Sequence, residues 1–411
     1  MQSTATLPAL ATLRVLVGAA PAQPAPGAPD LLAAFAAIPD PRRGQGCRFA
    51  LPALLALAVT ALLANHLSVL AIAEWGANQP DHLLQPLGFP DGVTPHQSTL
   101  HRLFRKLDPA DLTTALSRCF DHAATRPQGG PPPLRGTEGI AIDGKAQRGR
   151  LAFDRTGASV HALSAVAHQS GLVLAQLPIA VHGDKAEAEL TVAPTLISRL
   201  DWHGRVFTGD ALFCQRKLCE QIVQAGGDYL LIVKDNQPTL HADLRLLFDP
   251  PPHTPPLTDR REAASRDDGH GRHREVRRLV ASTDLTGYSD WPGLAQVWRW
   301  ERQWQEQDPA KREVRYGITS LPPVAADAAR LLELKRGHWM IENGLHYVKD
   351  VTLGEDRSLI HLGAGPMVMS ILRDTALNLL RCTGHTRIAS RLRYHSSHPQ
   401  VAVALVRGQN A

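Results

Sequence analysis

The sequence predicts an α/β protein: a mixed five-stranded sheet with helices, preceded by a helical N-terminal domain. Three observations carry this expectation. Residues 30–125 place apolar side chains at helical spacing and hold few glycines. Residues 137–248 alternate strand-like and helix-like segments in the order β-β-β-α-β-α-β. Residues 249–322 open irregularly with DPPPHTPPLT and continue as strand-like runs, ahead of a long helix expected over 323–347. The chain has 411 residues, 44% hydrophobic and 20% charged, enough for two or three domains with real cores. Wholesale disorder is excluded, and five Cys exclude a disulfide scaffold. The net charge of +5 is too mild an excess to establish a nucleic-acid partner by itself.

Residues 1–29 read as a flexible leader, since they are Pro/Ala-rich and lack the basic segment of a signal peptide. PRRGQGC is a basic turn. The apolar run at 51–64 is shorter than the roughly 20 residues a membrane span needs, and Pro52 suits a helix start, so a buried helix is expected. No membrane association is expected, and a cytoplasmic location is expected. In HQSTLHRLFRKL, Ser98 or Thr99 can cap a second helix. Its His101, Arg102, Arg105 and Lys106 either touch phosphates or form a solvated face. RPQGGPPP marks a linker over 126–136. The first part of the α/β core then runs over 137–248. EGIAIDG is its first strand. Residues 159–167 and 172–181 form a hairpin about HQSG, and RVFTGD and DYLLIV follow as strands separated by helices. Cys214 and Cys219 lack neighbours that would complete a zinc set. Residues 249–322 read as a β-rich insertion, 323–380 as the second part of the core, and 381–411 as a basic C-terminal tail.

Three carboxylates stand out by placement. Asp143 is central to the first strand, Asp210 ends the fourth, and Glu342 lies in the middle of the expected long helix. Such acids are costly to bury without a partner, and a divalent cation is the usual one. Two Mg²⁺ ions about 4 Å apart can clamp an in-line phosphoryl displacement. Along the helix, Lys335, His338, Glu342, His346 and Lys349 share one face at α-helical spacing, with Leu334, Ile341, Leu345 and Val348 on another. The cations of that stripe either hold phosphates or are merely solvated. Lys145 and Arg148 follow Asp143, and Lys234 and Asn236 end the fifth strand, where open sheets bind ligands. His270, Arg272, Arg274 and Arg277 make a phosphate-binding stripe or a solvated edge strand. Trp339 and Tyr347 read as packing residues. One of Trp298, Trp300 and Trp304 is a candidate platform for a flipped base. Asp350, Glu355 and Asp356 compete with Glu342 as third acid, and Asp184, Glu187 and Glu189 read as capping a helix start.

AIDGK, GDALFCQ, DYLLIVKDNQ, HGRHREVR and HWMIENGLHYVKDVTLGEDRS, in that order, resemble the ISAs1-type insertion-sequence transposases, the H-repeat-associated group of DDE transposases related to the IS4 group. PDPRRGQGCRF, SVLAIAEW, HQSTLHR and RDTALNLLR extend the resemblance over nearly the whole chain. The resemblance implies a ribonuclease-H-like core and a catalytic, metal-binding triad of Asp143, Asp210 and Glu342. The longer second gap has room for the insertion that related members place before the Glu helix. It also implies Mg²⁺ or Mn²⁺, no nucleotide cofactor, and element-end and target DNA as partners of a dimer or larger assembly. The activity implied is end cleavage and joining of 3′-hydroxyls. A decayed or domesticated DNA-binding protein, or a nuclease of the same fold, are the alternatives. Of the Tyr-Arg-Glu-Lys signature on the family's helix, Glu342 and Lys349 match the last two positions, while Lys335 and His338 replace the first two. The match gives Lys349 a phosphate near the cut end.

Overall fold

The computed structural model describes residues 28–43, 47–124, 136–146, 160–180, 185–267, 275–304 and 311–409. Its N-terminal part is helical, as expected: α1 (Leu31–Ala36), α2 (Leu51–Leu63), α3 (Val69–Ala77), α4 (Asp81–Leu84), α5 (Gln97–Phe104) and α6 (Pro109–Ala124). Helix α2 carries Pro52 in its first turn and buries all of its other residues, as an all-round apolar helix must. Helix α5 is capped by His96, whose ring nitrogen accepts from the Ser98 amide, in place of the expected Ser98 or Thr99. Helix α6 lies on the sheet edge, where Thr113 and Ser117 donate to the carbonyls of Gln176 and Leu174. The N-terminal helices therefore share one continuous apolar core with the sheet.

The strands β1 (Glu138–Ala146), β2 (Val160–Ala167), β3 (Val173–Ala180), β4 (Arg205–Gly209) and β5 (Asp228–Val233) follow the expected order, with α7 (Lys185–Ser198) and α8 (Arg216–Gln224) between the later ones. In space they run β3-β2-β1-β4-β5. β1, β4 and β5 are parallel, and β2 is antiparallel to β1 and β3. That is the ribonuclease-H-like arrangement. After α9 (Pro238–Phe248), the insertion strands β6 (Arg261–Asp267), β7 (Glu275–Ser282), β8 (Gln296–Trp304) and β9 (Lys311–Thr319) do not form a layer of their own. They meander antiparallel, and β9 pairs with β5, so the described strands make one nine-stranded sheet. An unpaired β5 would be an open edge; the insertion covers it.

The long helix expected over 323–347 is interrupted. Helix α10 (Ala328–Gly337), capped by Asp327, gives way to two π-helical segments, Ile341–His346 and Val348–Thr352. In the first the Tyr347 amide donates to the Glu342 carbonyl, and in the second the Leu353 amide donates to that of Val348, both five residues back. Helix α10 packs on the face of the sheet that carries Val206, Leu230, Leu279 and Trp298. Helix α11 (Gly365–Cys382) is buried over nearly its whole length. The last segment, expected to be helical from about 365 with a basic end, continues as α12 (Ile388–Ser397) and α13 (Pro399–Val406), which bury Leu392, Val403, Leu405 and Val406, and the backbone of Arg407 pairs with that of Asp30.

Candidate active site

The parallel pairing of β1 and β4 sets the site. The register matches Ala141 with Thr208. Two residues further along each strand come Asp143 and Asp210, at equal offset on neighbours about 4.8 Å apart. Alternation puts both on the sheet face that α10 covers. Asp143 is half-buried, and the His346 ring lies 3.7 Å from its carboxylate, which ties β1 to the first π segment. Asp210 is exposed and turns the chain, its carboxylate accepting the Leu212 amide. Asn236, past the end of β5, donates to the Ala211 carbonyl at 2.6 Å, and Gln237 donates to that of Cys214. Asn236, expected at DNA, thus braces the Asp210 turn.

Glu342 is exposed on the first π segment. It lies within electrostatic reach of Lys335, as do Lys234, Glu313 and Arg315. The Asp143 stretch of β1, the ends of β4 and β5 and the Glu342 segment therefore lie together, and the space between them is the candidate crevice. Among the described residues no group of three or more His, Cys, Asp and Glu side chains is arranged to hold a metal ion. In kind the three donors fit a hard divalent cation: all are carboxylates, and two are aligned by strand register.

Thr208 joins the elements beneath the crevice. Its hydroxyl donates to the Ile140 carbonyl at 3.3 Å and meets Nε2 of His168 at 2.9 Å and Nδ1 of His338 at 3.2 Å. Burial, then the nearby His338 and Arg330, pushes the His168 imidazole down to about 3. Burial and Lys335 do the same to His338. Both rings are neutral at physiological pH, so His338 is a structural hydrogen-bonder rather than the expected cation for DNA. His168 was read only as a turn residue. It is wedged between Gly139 and Gly337, each of which would drive a Cβ into its ring. Only glycine at these two positions lets β1 and α10 close on the imidazole.

The two lysines of the stripe face inward too. Lys335 is buried over the Trp300 ring at 5.1 Å, and burial pushes its ammonium down to about 8. Lys349 is buried, with its ammonium 2.6 Å from the Ser370 hydroxyl, 2.9 Å from Asp374 and 3.5 Å from Glu355. Lys145 is buried against Asp350, Glu355 and Asp356. The phosphate contacts expected of Lys349 and Lys145 are therefore corrected: both ammoniums are enclosed by carboxylates. The correction reaches Asp350 and Glu355, which are engaged with lysines while Glu342 stays open. Arg277 is half-buried and paired with Glu275 and Asp267, not a free phosphate contact. Lys234 is exposed, as is Lys106 just past α5. Arg148, Asp184, His270, Arg272 and Arg274 lie outside the described residues. Glu189 is buried where it would meet a Cβ on Gly144, on the far face of β1. Trp339 and Tyr347, expected to pack, are about half exposed. Trp298 is fully buried and donates to the Ile318 carbonyl, so it cannot serve as a platform.

Four side chains of α11 that sequence reasoning passed over hold this assembly. Arg373 donates to the carbonyls of Leu353 and Leu67, and Asp374 takes Lys349. Asn378 both accepts from and donates to the backbone of Val173 at 2.8 Å, and Arg381 donates to the carbonyls of Gly171 and Gly344. The signal was present in RDTALNLLR, polar residues at helical spacing inside an apolar helix.

A ribonuclease-H-like sheet with acids aligned on adjacent parallel strands defines a class of nucleic-acid-processing proteins. Two family models match the chain: a Transposase DDE domain over residues 134–379 and a DDE_Tnp_1-associated region over residues 32–119. The chain belongs to the DDE transposase family. It is 30% identical over 359 residues to "Putative transposase YncI" of Escherichia coli O157:H7, covering 86% of this chain and 87% of that one. It is 28% identical over 351 residues to "H repeat-associated putative transposase YhhI" of Escherichia coli K12, covering 84% and 88%. A cryo-EM structure of a piggyBac transposase synaptic complex with hairpin DNA matches 85% of this chain and 70% of its own at 12% identity, with a TM-score of 0.40. No helix among the described residues is long and apolar enough to cross a membrane.

Proposed function

We propose that this DNA transposase cleaves the ends of an insertion sequence and joins the freed 3′-hydroxyls to target DNA, with Asp143, Asp210 and Glu342 holding two divalent ions, Mg²⁺ or Mn²⁺. The observation that carries the reading is the equal offset of Asp143 and Asp210 beyond the paired residues Ala141 and Thr208, with Glu342 on the segment docked over Asp143. Bound there, the ions would activate the attacking oxygen and stabilise the leaving one. The chain's own residues supply the frame. Asp143 is oriented by His346, and the Asp210 turn is braced by Asn236. The exposed Lys234 past β5 offers a phosphate contact, and Arg148 and Arg274 are proposed as DNA contacts from the sequence. Catalysis is then positioning and charge stabilisation in a fixed site. The DNA is double-stranded, with inverted-repeat ends, and two or more copies of the chain act together because two ends are joined. The site of action is the bacterial cytosol, at the nucleoid.

The test is incubation with DNA carrying the element's own ends and Mg²⁺ or Mn²⁺. Cleavage and strand transfer should disappear in Asp143→Asn, Asp210→Asn and Glu342→Gln while end binding persists. Normal cutting by any one variant removes that residue from the site. Pre-cleaved ends distinguish a transposase, which joins them, from a nuclease, which does not.

A further inference from the structure

We infer that Glu355 is the positioning residue that fixes the spacing between the strand carrying Asp143 and the helix carrying Glu342. One carboxylate reaches both elements. Its Oε2 lies 3.4 Å from the ammonium of Lys145, and its Oε1 lies 3.5 Å from that of Lys349. Lys145 is two residues past Asp143 on the same face of β1, so the strand cannot move the acid without moving the lysine. Lys349 lies in the second π segment, Val348–Thr352, which follows directly on the one that bears Glu342. Glu355 is only 3% exposed, in the single turn Glu355–Arg357 entered through Gly354 in the left-handed region. Burial alone would raise its carboxyl, but Lys349, Arg373 and Lys145 outweigh burial and hold it ionised at about 2.

Each lysine is also held from its far side. Lys145 contacts Asp350 and Asp356, and Lys349 contacts Ser370 and Asp374. Lys145 hydrogen-bonds Asp350 and Lys349 hydrogen-bonds the Ser370 hydroxyl, while Glu355 and Asp374 face these ammoniums as ion pairs. Neither lysine can swing to solvent without stranding a buried carboxylate, which is strongly destabilising. A two-armed anion inside such a cage transmits position rather than charge: β1 and the π segments move together or not at all. Groups hydrogen-bonded directly to metal ligands commonly change metal affinity by about 10–100-fold when removed, and Glu355 acts one contact further out, at the low end of that range.

This inference rests on Asp143 and Glu342 being the metal-holding acids, so the experiment separates the two. Mn²⁺ binding to the DNA-free protein is followed by electron paramagnetic resonance for wild type, Glu355→Gln, Lys145→Met and Asp143→Asn, each checked for a single cooperative unfolding transition. Glu355→Gln and Lys145→Met should weaken Mn²⁺ binding about tenfold, leave end-DNA binding within about twofold, and regain cleavage at raised Mn²⁺. Wild-type Mn²⁺ affinity in either folded variant overturns the role of Glu355. Lys145→Met keeps the Lys349 arm, so it decides alone where Glu355→Gln does not fold. If Asp143→Asn itself binds Mn²⁺ normally, the catalytic reading fails instead.

Discussion

Replacing His338 with Asn tests whether the helix over the crevice presents a cation or a neutral ring. His338 is held at about 3, against an ordinary imidazole of 6.5. Above pH 6.5 both folded and unfolded rings are neutral, and the group contributes nothing to pH dependence. Below 6.5 the unfolded chain takes up a proton that the folded chain refuses, so stability is lost as pH falls from 6.5 towards 3. At pH 5 the unfolded ring lies about 1.5 units below its pKa, which corresponds to about 2 kcal/mol, or about 1–2 after discounting the partial exposure of the ring. Asn can keep the hydrogen bond to Thr208, since its amide nitrogen can stand near the place of Nδ1. Urea unfolding at pH 7 and pH 5 measures the effect. Wild type should lose about 1–2 kcal/mol more than His338→Asn over that interval. Asp374, raised to about 6 by burial, and His395, lowered to about 4 by burial, titrate in both proteins and cancel in the difference. Identical pH dependence in the two proteins would refute the neutral, buried ring.

Other outcomes follow from the same geometry. Lys349→Met should destabilise the fold by about 3–5 kcal/mol, because Glu355 and Asp374 lose their shared cation, and should leave the salt dependence of DNA binding unchanged. Lys234→Ala should do the reverse, sparing stability and lowering the salt slope by about one ion, read from binding titrations at several salt concentrations. Asn378→Leu leaves the buried amide and carbonyl of Val173 without partners. It should cost about 2–4 kcal/mol and speed hydrogen exchange at the β3 edge.

The sheet was legible because its signals are local. EGIAIDG, RVFTGD and DYLLIV are short apolar runs bounded by turns, and each became the strand expected of it. The apolar helix with Pro52 in its first turn was legible for the same reason. The pairing of β9 with β5 was not, since it joins segments about ninety residues apart and no local pattern specifies which edge an insertion will cover. Asp143 could be nominated from its place within the first strand and Asp210 from its place at the end of the fourth. Their common offset became visible only with the register of β1 against β4.

The lysines and histidines show why the rest was misread. An α-helical wheel places Lys335, His338, Glu342, His346 and Lys349 on one stripe, and such stripes usually face water. Here the chain leaves α-helical geometry at Ile341, and the wider π turns rotate later residues relative to earlier ones. Glu342 emerges into the crevice, while Lys335 and Lys349, one before and one after it, are turned into the protein. Their charges are tolerated there because the matching carboxylates and hydroxyl arrive from elsewhere in the sequence: Glu355 from the following turn, Asp374 and Ser370 from α11. A buried lysine is recognisable only together with its partners, and those partners are set by tertiary packing. The same reasoning makes the π segment informative, since insertions of this kind recur at functional sites. By releasing Glu342 from the stripe that buries its neighbours, the altered winding lets one helix serve as both a core element and the bearer of an exposed acid.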